Sequence, residues 1–177
     1  MGEPSAFLKE GIFFQLEDVL GVQKEIGFTA SVNKRKTETV KHFITEDVTE
    51  TIYYGEGMTM IYPCAPKTQV LDVVNGSCTL TAHSYGMGKA VYMAGLPYND
   101  LNTRILLRSI YWSAGKAELL YKWFSTNSVT ECNAYPEAGK FCLINNSDSE
   151  QTTEVYLGDG GKKSYTLKPM EMRWLMV

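Results

Sequence analysis

Along this chain of 177 residues the apolar positions recur first at helical spacing, then irregularly, and finally at the alternation of short strands. Phe13, Leu16, Val19 and Leu20 share one face of a helix over residues 13–20, and Gly21 suits the left-handed position that ends one. The β-branched run 39–45 predicts a strand, and Gly55-Glu56-Gly57 a turn. Residues 70–74, 78–84 and 89–96 read as strands. Asn75-Gly76 joins the first two with the pair that type I′ hairpins favour, and Gly86-Met87-Gly88 makes the next turn. Residues 99–114 carry the strongest helical pattern. Asn99 or Asp100 caps its start after Pro97, and Gly115 ends it. Leu101, Ile105, Leu106, Ile110 and Trp112 cover so much of its circumference that it is expected to be largely buried.

After Ser125 the period changes. Five short segments, 129–135, 140–145, 152–157, 162–167 and 170–176, are separated by turn residues at 136–139, 146–149, 158–161 and 168–169. Strands at this spacing predict an antiparallel sandwich or barrel. In the last of them Met172, Trp174 and Met176 alternate with Glu171 and Arg173, which predicts a buried methionine–tryptophan face and a wet charged one. The chain thus divides into an α/β domain over 1–124 and an all-β domain over 125–177. The hairpin and helix of 85–115 read as the close of that α/β domain. Too few residues precede them for a complete doubly wound sheet, so the domain is expected to lack its beginning.

Composition narrows the function classes. With 44% hydrophobic and 21% charged residues the chain is an ordinary globular one. A net charge of −3 gives no footprint for nucleic acid, and Lys34-Arg35-Lys36 reads as a solvated loop. No apolar run approaches ~18 residues, and the first residues lack the basic start and apolar centre of a signal peptide. A cytoplasmic location without membrane contact is the expectation. Cys64, Cys78, Cys132 and Cys142 form no CxxC pair and have only His42 and His83 for company, so no metal site is expected. Cys132 and Cys142 can face each other across a hairpin, which leaves a disulfide sterically open beside the reading of buried free thiols. The sequons at Asn75 and Asn145 read as turns.

Four constellations invite a chemical reading. Gly86-Met87-Gly88-Lys89 suggests a phosphate loop, but a strand follows where that loop needs a helix, so a turn is expected. Cys78 begins a strand instead of standing on a strand-to-helix elbow, and His42 with Glu46 has no cysteine nearby to complete a nucleophilic set. Paired carboxylates cleave glycosidic bonds, yet Glu17-Asp18 and Glu46-Asp47 are sequence neighbours whose side chains diverge. Glu17-Asp18 reads as a solvated helix side, and Asp47 as a cap or turn residue. Aromatic residues are abundant, and Tyr135, Tyr156, Tyr165 and Trp174 in the β domain are candidates for a sugar-stacking platform, with core packing as the plainer alternative.

Several blocks, in order, resemble one family: GEPSAF, FFQLEDVLGVQKEIGF, HFITEDV, YGEGM, YGMGKAVYMAGLPYNDLNTRILLRSIYWSAG and AYPEAGKFCLINNSD. They are similar to the C-terminal third of the lacto-N-biose phosphorylases, or 1,3-β-galactosyl-N-acetylhexosamine phosphorylases. The resemblance implies an N-terminal catalytic barrel, a central domain of glutamine amidotransferase-like fold, here incomplete, and a small C-terminal β-sandwich domain. It implies inverting phosphorolysis of galactosyl-β-1,3-N-acetylhexosamine to α-galactose 1-phosphate, with phosphate as co-substrate and no other cofactor. The general acid and main substrate contacts belong to the barrel, so no catalytic, cofactor or metal residue is assigned here. Arg104 and Arg108 read as structural or rim residues, and Gly2-Glu3-Pro4-Ser5 as the segment facing the barrel. The expected role is support of that barrel and of homodimer contacts, the segment alone being inactive. A carbohydrate-binding module and a purely structural or oligomerisation unit are the alternatives.

Overall fold

A computed structural model describes residues 8–9, 13–24, 38–57 and 59–177. The chain separates into two compact units, one of residues 1–46 and 50–98, the other of residues 47–49 and 99–177. Every strand pair among the described residues is antiparallel.

In the N-terminal unit β1 (Leu8–Lys9) pairs with β2 (Phe13–Phe14), followed by the single turn α1 (Glu17–Leu20). The helix expected over 13–20 is therefore shorter, because its first residues are taken by the β1–β2 ladder. Gly21 does end it, at φ +66°, its N–H donating to Glu17 O at 2.7 Å. β3 (Val22–Lys24) pairs with β4 (Ile61–Pro63), and β5 (Gln69–Val74), β6 (Ser77–Tyr85) and β7 (Gly88–Met93) form a meander. Asn75 and Gly76 both have positive φ, as the type I′ turn requires. Val22, Ile61, Val70, Cys78 and Tyr92 make the core. Residues 39–45 are not a strand. Val40 N–H reaches β5 at Val70 O, and the His42 ring then caps a 3-10 turn at Phe43–Thr45 that buries Ile44. The parallel sheet of an α/β domain is absent among the described residues. Parallel strands need crossovers of a dozen or more residues, and here two-residue turns join the meander.

The C-terminal unit opens with α2 (Asp100–Ser113), whose first turn is capped by Asn99 Oδ1 accepting from Asn102 N–H at 2.8 Å. Six strands follow: β8 (Phe124–Ser125), β9 (Thr130–Tyr135), β10 (Lys140–Asn145), β11 (Gln151–Tyr156), β12 (Lys162–Leu167) and β13 (Met172–Met176). They form two three-stranded sheets, β13-β10-β9 and β12-β11-β8. Phe141 and Leu143 from one sheet meet Val155 and Leu167 from the other in one buried apolar cluster, as two packed antiparallel sheets require.

Two faces differ from expectation, although Ile105 on α2 is buried as expected. On α2 the buried residues are Asn102, Arg104, Ile105, Arg108 and Ser109, while Leu106, Leu107 and Ile110 are exposed. On β13 the residues Met172, Trp174 and Met176 are 60%, 52% and 78% exposed, and Leu175 turns to the core instead. Register explains the second case: Leu175 lies opposite Phe141 on the inner face of β10, which sends its neighbours outward.

Candidate functional site

The buried face of α2 is organised by arginine. Arg104 Nη1 donates to Ser125 O at 2.7 Å and Nη2 to Asn127 O at 2.9 Å, with the guanidinium 4.4 Å above the Phe124 ring. Arg108, 1% exposed, places Nε 2.9 Å from Asp47 Oδ1 and also lies over Phe124. Ser125, Thr130 and Thr153 continue the polar interior through their hydroxyls. These arginines are fixed to backbone carbonyls and a carboxylate, which fits a structural role. Asp47 lies in the turn that follows the 3-10 segment at Phe43–Thr45, as expected, and is also the anion of a buried pair. Glu46 ends the 3-10 turn at Phe43–Thr45, and Glu17 and Asp18 are solvated as expected.

The N-terminal unit holds two smaller polar clusters. Asp72 sits at a bulge in β5, where it accepts from Tyr54 Oη at 2.7 Å and from its neighbour Val73 N–H at 2.9 Å. Burial is the main cause that pushes the Tyr54 phenol far above its usual range. Thr68 Oγ1 donates to Gly21 O at 2.8 Å and lies 3.2 Å from His83 Nδ1. No group of three or more histidine, cysteine or carboxylate side chains is placed to hold a metal among the described residues.

Gly86-Met87-Gly88-Lys89 is a hairpin turn leading into β7, with positive φ at Gly86. Cys78 is buried in β6, and burial pushes its thiol up to about 11, the opposite of an activated nucleophile. Cys132 and Cys142 are not joined. Cys132 pairs with Leu143 and Cys142 with Asn133, so the two thiols occupy opposite faces of one sheet. Gly2-Glu3-Pro4-Ser5 and Lys34-Arg35-Lys36 lie outside the described residues.

Of the four aromatic candidates, Tyr135 and Trp174 come together. Their exposed rings are 5.7 Å apart at 39°, with Lys140 Nζ 4.9 Å above the indole. Tyr156 is buried against Tyr121, and Tyr165 packs edge-on to Phe141, so no four-ring platform forms. Sequence reading missed a different feature, an open cavity of about 390 Å³ walled by Trp123, Phe141 and Tyr165, with Asp159 and Lys163 among its lining residues. Trp123 has φ +52°, and a Cβ on Gly158 would lie 2.5 Å from its ring. The Gly158-Asp159-Gly160-Gly161 turn was legible, but its role in admitting an indole was not.

Family models account for these two units almost end to end. The lacto-N-biose phosphorylase central domain matches residues 1–118, and the lacto-N-biose phosphorylase C-terminal domain matches residues 123–175. The chain belongs to the lacto-N-biose phosphorylase family. It is 41% identical, over 98% of its length, to a 1,3-beta-galactosyl-N-acetylhexosamine phosphorylase of Lachnoclostridium phytofermentans. The enzyme of that name from Bifidobacterium longum subsp. longum is 32% identical over 98% of the chain. A D-galactosyl-beta-1->4-L-rhamnose phosphorylase of Lachnoclostridium phytofermentans is 29% identical over 88%. The chain spans 24%, 28% and 21% of these three relatives, about a quarter of their length. The family boundary at 118–123 lies beside the composition change at 124–125, while backbone packing groups α2 with the strands that follow it. No helix among the described residues is long and apolar enough to cross a membrane.

Proposed function

We propose that this chain is the non-catalytic C-terminal portion of an inverting phosphorylase that converts galactosyl-β-1,3-N-acetylhexosamine and phosphate to α-galactose 1-phosphate and N-acetylhexosamine. The observation that carries the reading is the ordered match to a central and a C-terminal family domain, in relatives about four times as long. In such a reaction phosphate takes the place of the attacking water of an inverting glycosidase, and one carboxylic acid protonates the leaving oxygen. The carboxylates described above are solvated, at a short-helix end, in the Asp72 cluster or paired with Arg108, so the acid is assigned to the barrel. The role of this chain is to brace that barrel in a cytoplasmic enzyme, with the N-terminal unit as the remainder of an amidotransferase-like domain.

The test is to incubate the 177-residue chain with galactosyl-β-1,3-N-acetylglucosamine and phosphate, alone and mixed with the separately expressed N-terminal portion of the Lachnoclostridium relative. No galactose 1-phosphate from the chain alone, and product from the mixture, is the expected result. Product from the chain alone would overturn it. A second reading, a glycan-binding module, is favoured by the aromatic cavity at Trp123. Saturable quenching of tryptophan emission by galactose or N-acetylglucosamine, lost in Trp123→Phe, is its expected signature.

A further inference from the structure

The cavity at Trp123 is built within the C-terminal unit, from β10, β12, the turn between β11 and β12, and the residue that precedes β8. Phe141 packs against Trp123 at 5.3 Å and edge-on against Tyr165 at 6.2 Å, so three rings and Leu157 give the cavity its apolar wall. Trp123 holds a left-handed backbone, which costs energy for a bulky residue and persists only where the surroundings fix it. Gly158 supplies the fit. A Cβ there would stand 2.9 Å from Trp123 Nε1, so the indole N–H lies beside the turn that lines the cavity.

Four polar groups of the lining have no hydrogen bond to the described residues: the Trp123 indole N–H, the Tyr165 hydroxyl, the Lys163 ammonium and Asp159 Oδ2. Lys163 Nζ rests 5.6 Å from the Tyr165 ring, whereas its neighbour Lys162 is paired with Glu154 at 3.2 Å. Asp159 and Lys163 carry opposite charges and line one cavity, yet form no ion pair with each other. The carboxylate is preset. Its Oδ1 accepts from Gly161 N–H at 2.8 Å, inside a turn closed by Leu157 N–H to Gly161 O at 2.8 Å and Gly160 N–H to Leu157 O at 2.9 Å. One acceptor and one cationic donor thus stand at an aromatic wall, all of them unspent.

We infer that this cavity takes the acetamido group of a 2-acetamido-2-deoxyhexose. The amide N–H donates to Asp159 Oδ2, the amide carbonyl accepts from Lys163 Nζ, and the methyl packs on Phe141 and Leu157. The indole N–H and the Tyr165 hydroxyl are left for ring hydroxyls. A pyranose with hydroxyls alone would set one of them against Phe141 and Leu157, which offer no partner, and burying it there is costly. A secondary amide instead brings one donor, one acceptor and an apolar end, matching the three kinds of surface present. The inference rests on the glycan-binding reading and narrows it to one sugar class.

Saturation-transfer NMR on the 177-residue chain tests this, with N-acetylglucosamine, glucose and phenylalanine as probes. N-acetylglucosamine is expected to bind about tenfold or more tightly than glucose, with the strongest transfer to its acetamido methyl protons. Asp159→Asn keeps an oxygen for Gly161 N–H but replaces the carboxylate acceptor, and Lys163→Met keeps an apolar stem without the donor. Each should weaken N-acetylglucosamine about tenfold. Both side chains are exposed, so neither change disturbs the core. Glucose binding as tightly as N-acetylglucosamine, or either variant binding like wild type, overturns the inference. So does tighter binding of phenylalanine, which carries both charges on an apolar body. If glucose binding is also lost in Trp123→Phe, the glycan-binding reading survives that failure. Absence of transfer to either sugar removes both.

Discussion

Gly21 meets three demands at one position. It takes φ +66°, its carbonyl accepts the Thr68 hydroxyl, and a Cβ there would collide with Thr68 Oγ1 and with the His83 ring at 2.6 Å. Gly21→Ala is expected to destabilise by about 2–4 kcal/mol, read from the urea midpoint. Gly76→Ala supplies the comparison: φ is +77° but nothing lies within 4 Å of a new Cβ, so the cost is about 1 kcal/mol of backbone strain. His42 gives a pH dependence. Burial, then the Lys89 charge, holds its pKa below 6.5, and its Nδ1 accepts from Ile44 N–H at 3.2 Å. The neutral ring is the folded form, whereas the unfolded chain takes up the proton near its ordinary pKa. The stability it contributes is present above about pH 6.5 and is lost as pH falls toward the lower, folded pKa. Between about pH 7.5 and 5.5 the wild-type urea midpoint should fall further than that of His42→Asn, which keeps a capping acceptor but does not titrate. Equal falls would remove His42 from the account.

Among the elements, α2 depends on a buried ion pair. Arg108→Met leaves the Asp47 carboxylate enclosed without its cation, and a loss of about 3–5 kcal/mol is expected. Arg108→Met with Asp47→Leu should recover most of it, and a double-mutant cycle by denaturant unfolding checks both. This element also shows where sequence reading stops. Asn99 as cap and Gly115 as terminator were legible because capping chemistry is local. The buried face was not, since Arg104 finds its carbonyl partners 21 and 23 residues downstream, and no periodicity records a partner that distant. The strands β9 to β12 and the Asn75-Gly76 hairpin were legible from turn residues and β-branched runs. The side of β13 that faces inward was not, because alternation is the same for either face and only pairing with β10 decides. Residues 39–45 were misread because β-branched residues outweighed a histidine that caps a turn. The cavity went unseen since Trp123 and Gly158 are 35 positions apart in sequence and meet only in the fold.

At the scale of the whole molecule, four thiols report on two separate cores. Cys64 is exposed, Cys78 lies in the N-terminal core, and Cys132 and Cys142 lie on the two faces of one sandwich sheet. Burial raises Cys78 and Cys132 to about 11, so native labelling by a thiol reagent near neutral pH should modify Cys64 first. Titrating denaturant then shows whether Cys78 becomes reactive at the same midpoint as Cys132 and Cys142. A single midpoint means the two units open as one cooperative block, and two midpoints mean separate foldons. The Arg104 tether has a consequence for synthesis. A ribosome releases α2 before the carbonyls of Ser125 and Asn127 exist, so the nascent helix carries a guanidinium still served by water. Its final seating waits until roughly the next two dozen residues have emerged, and α2 is completed by strands made after it.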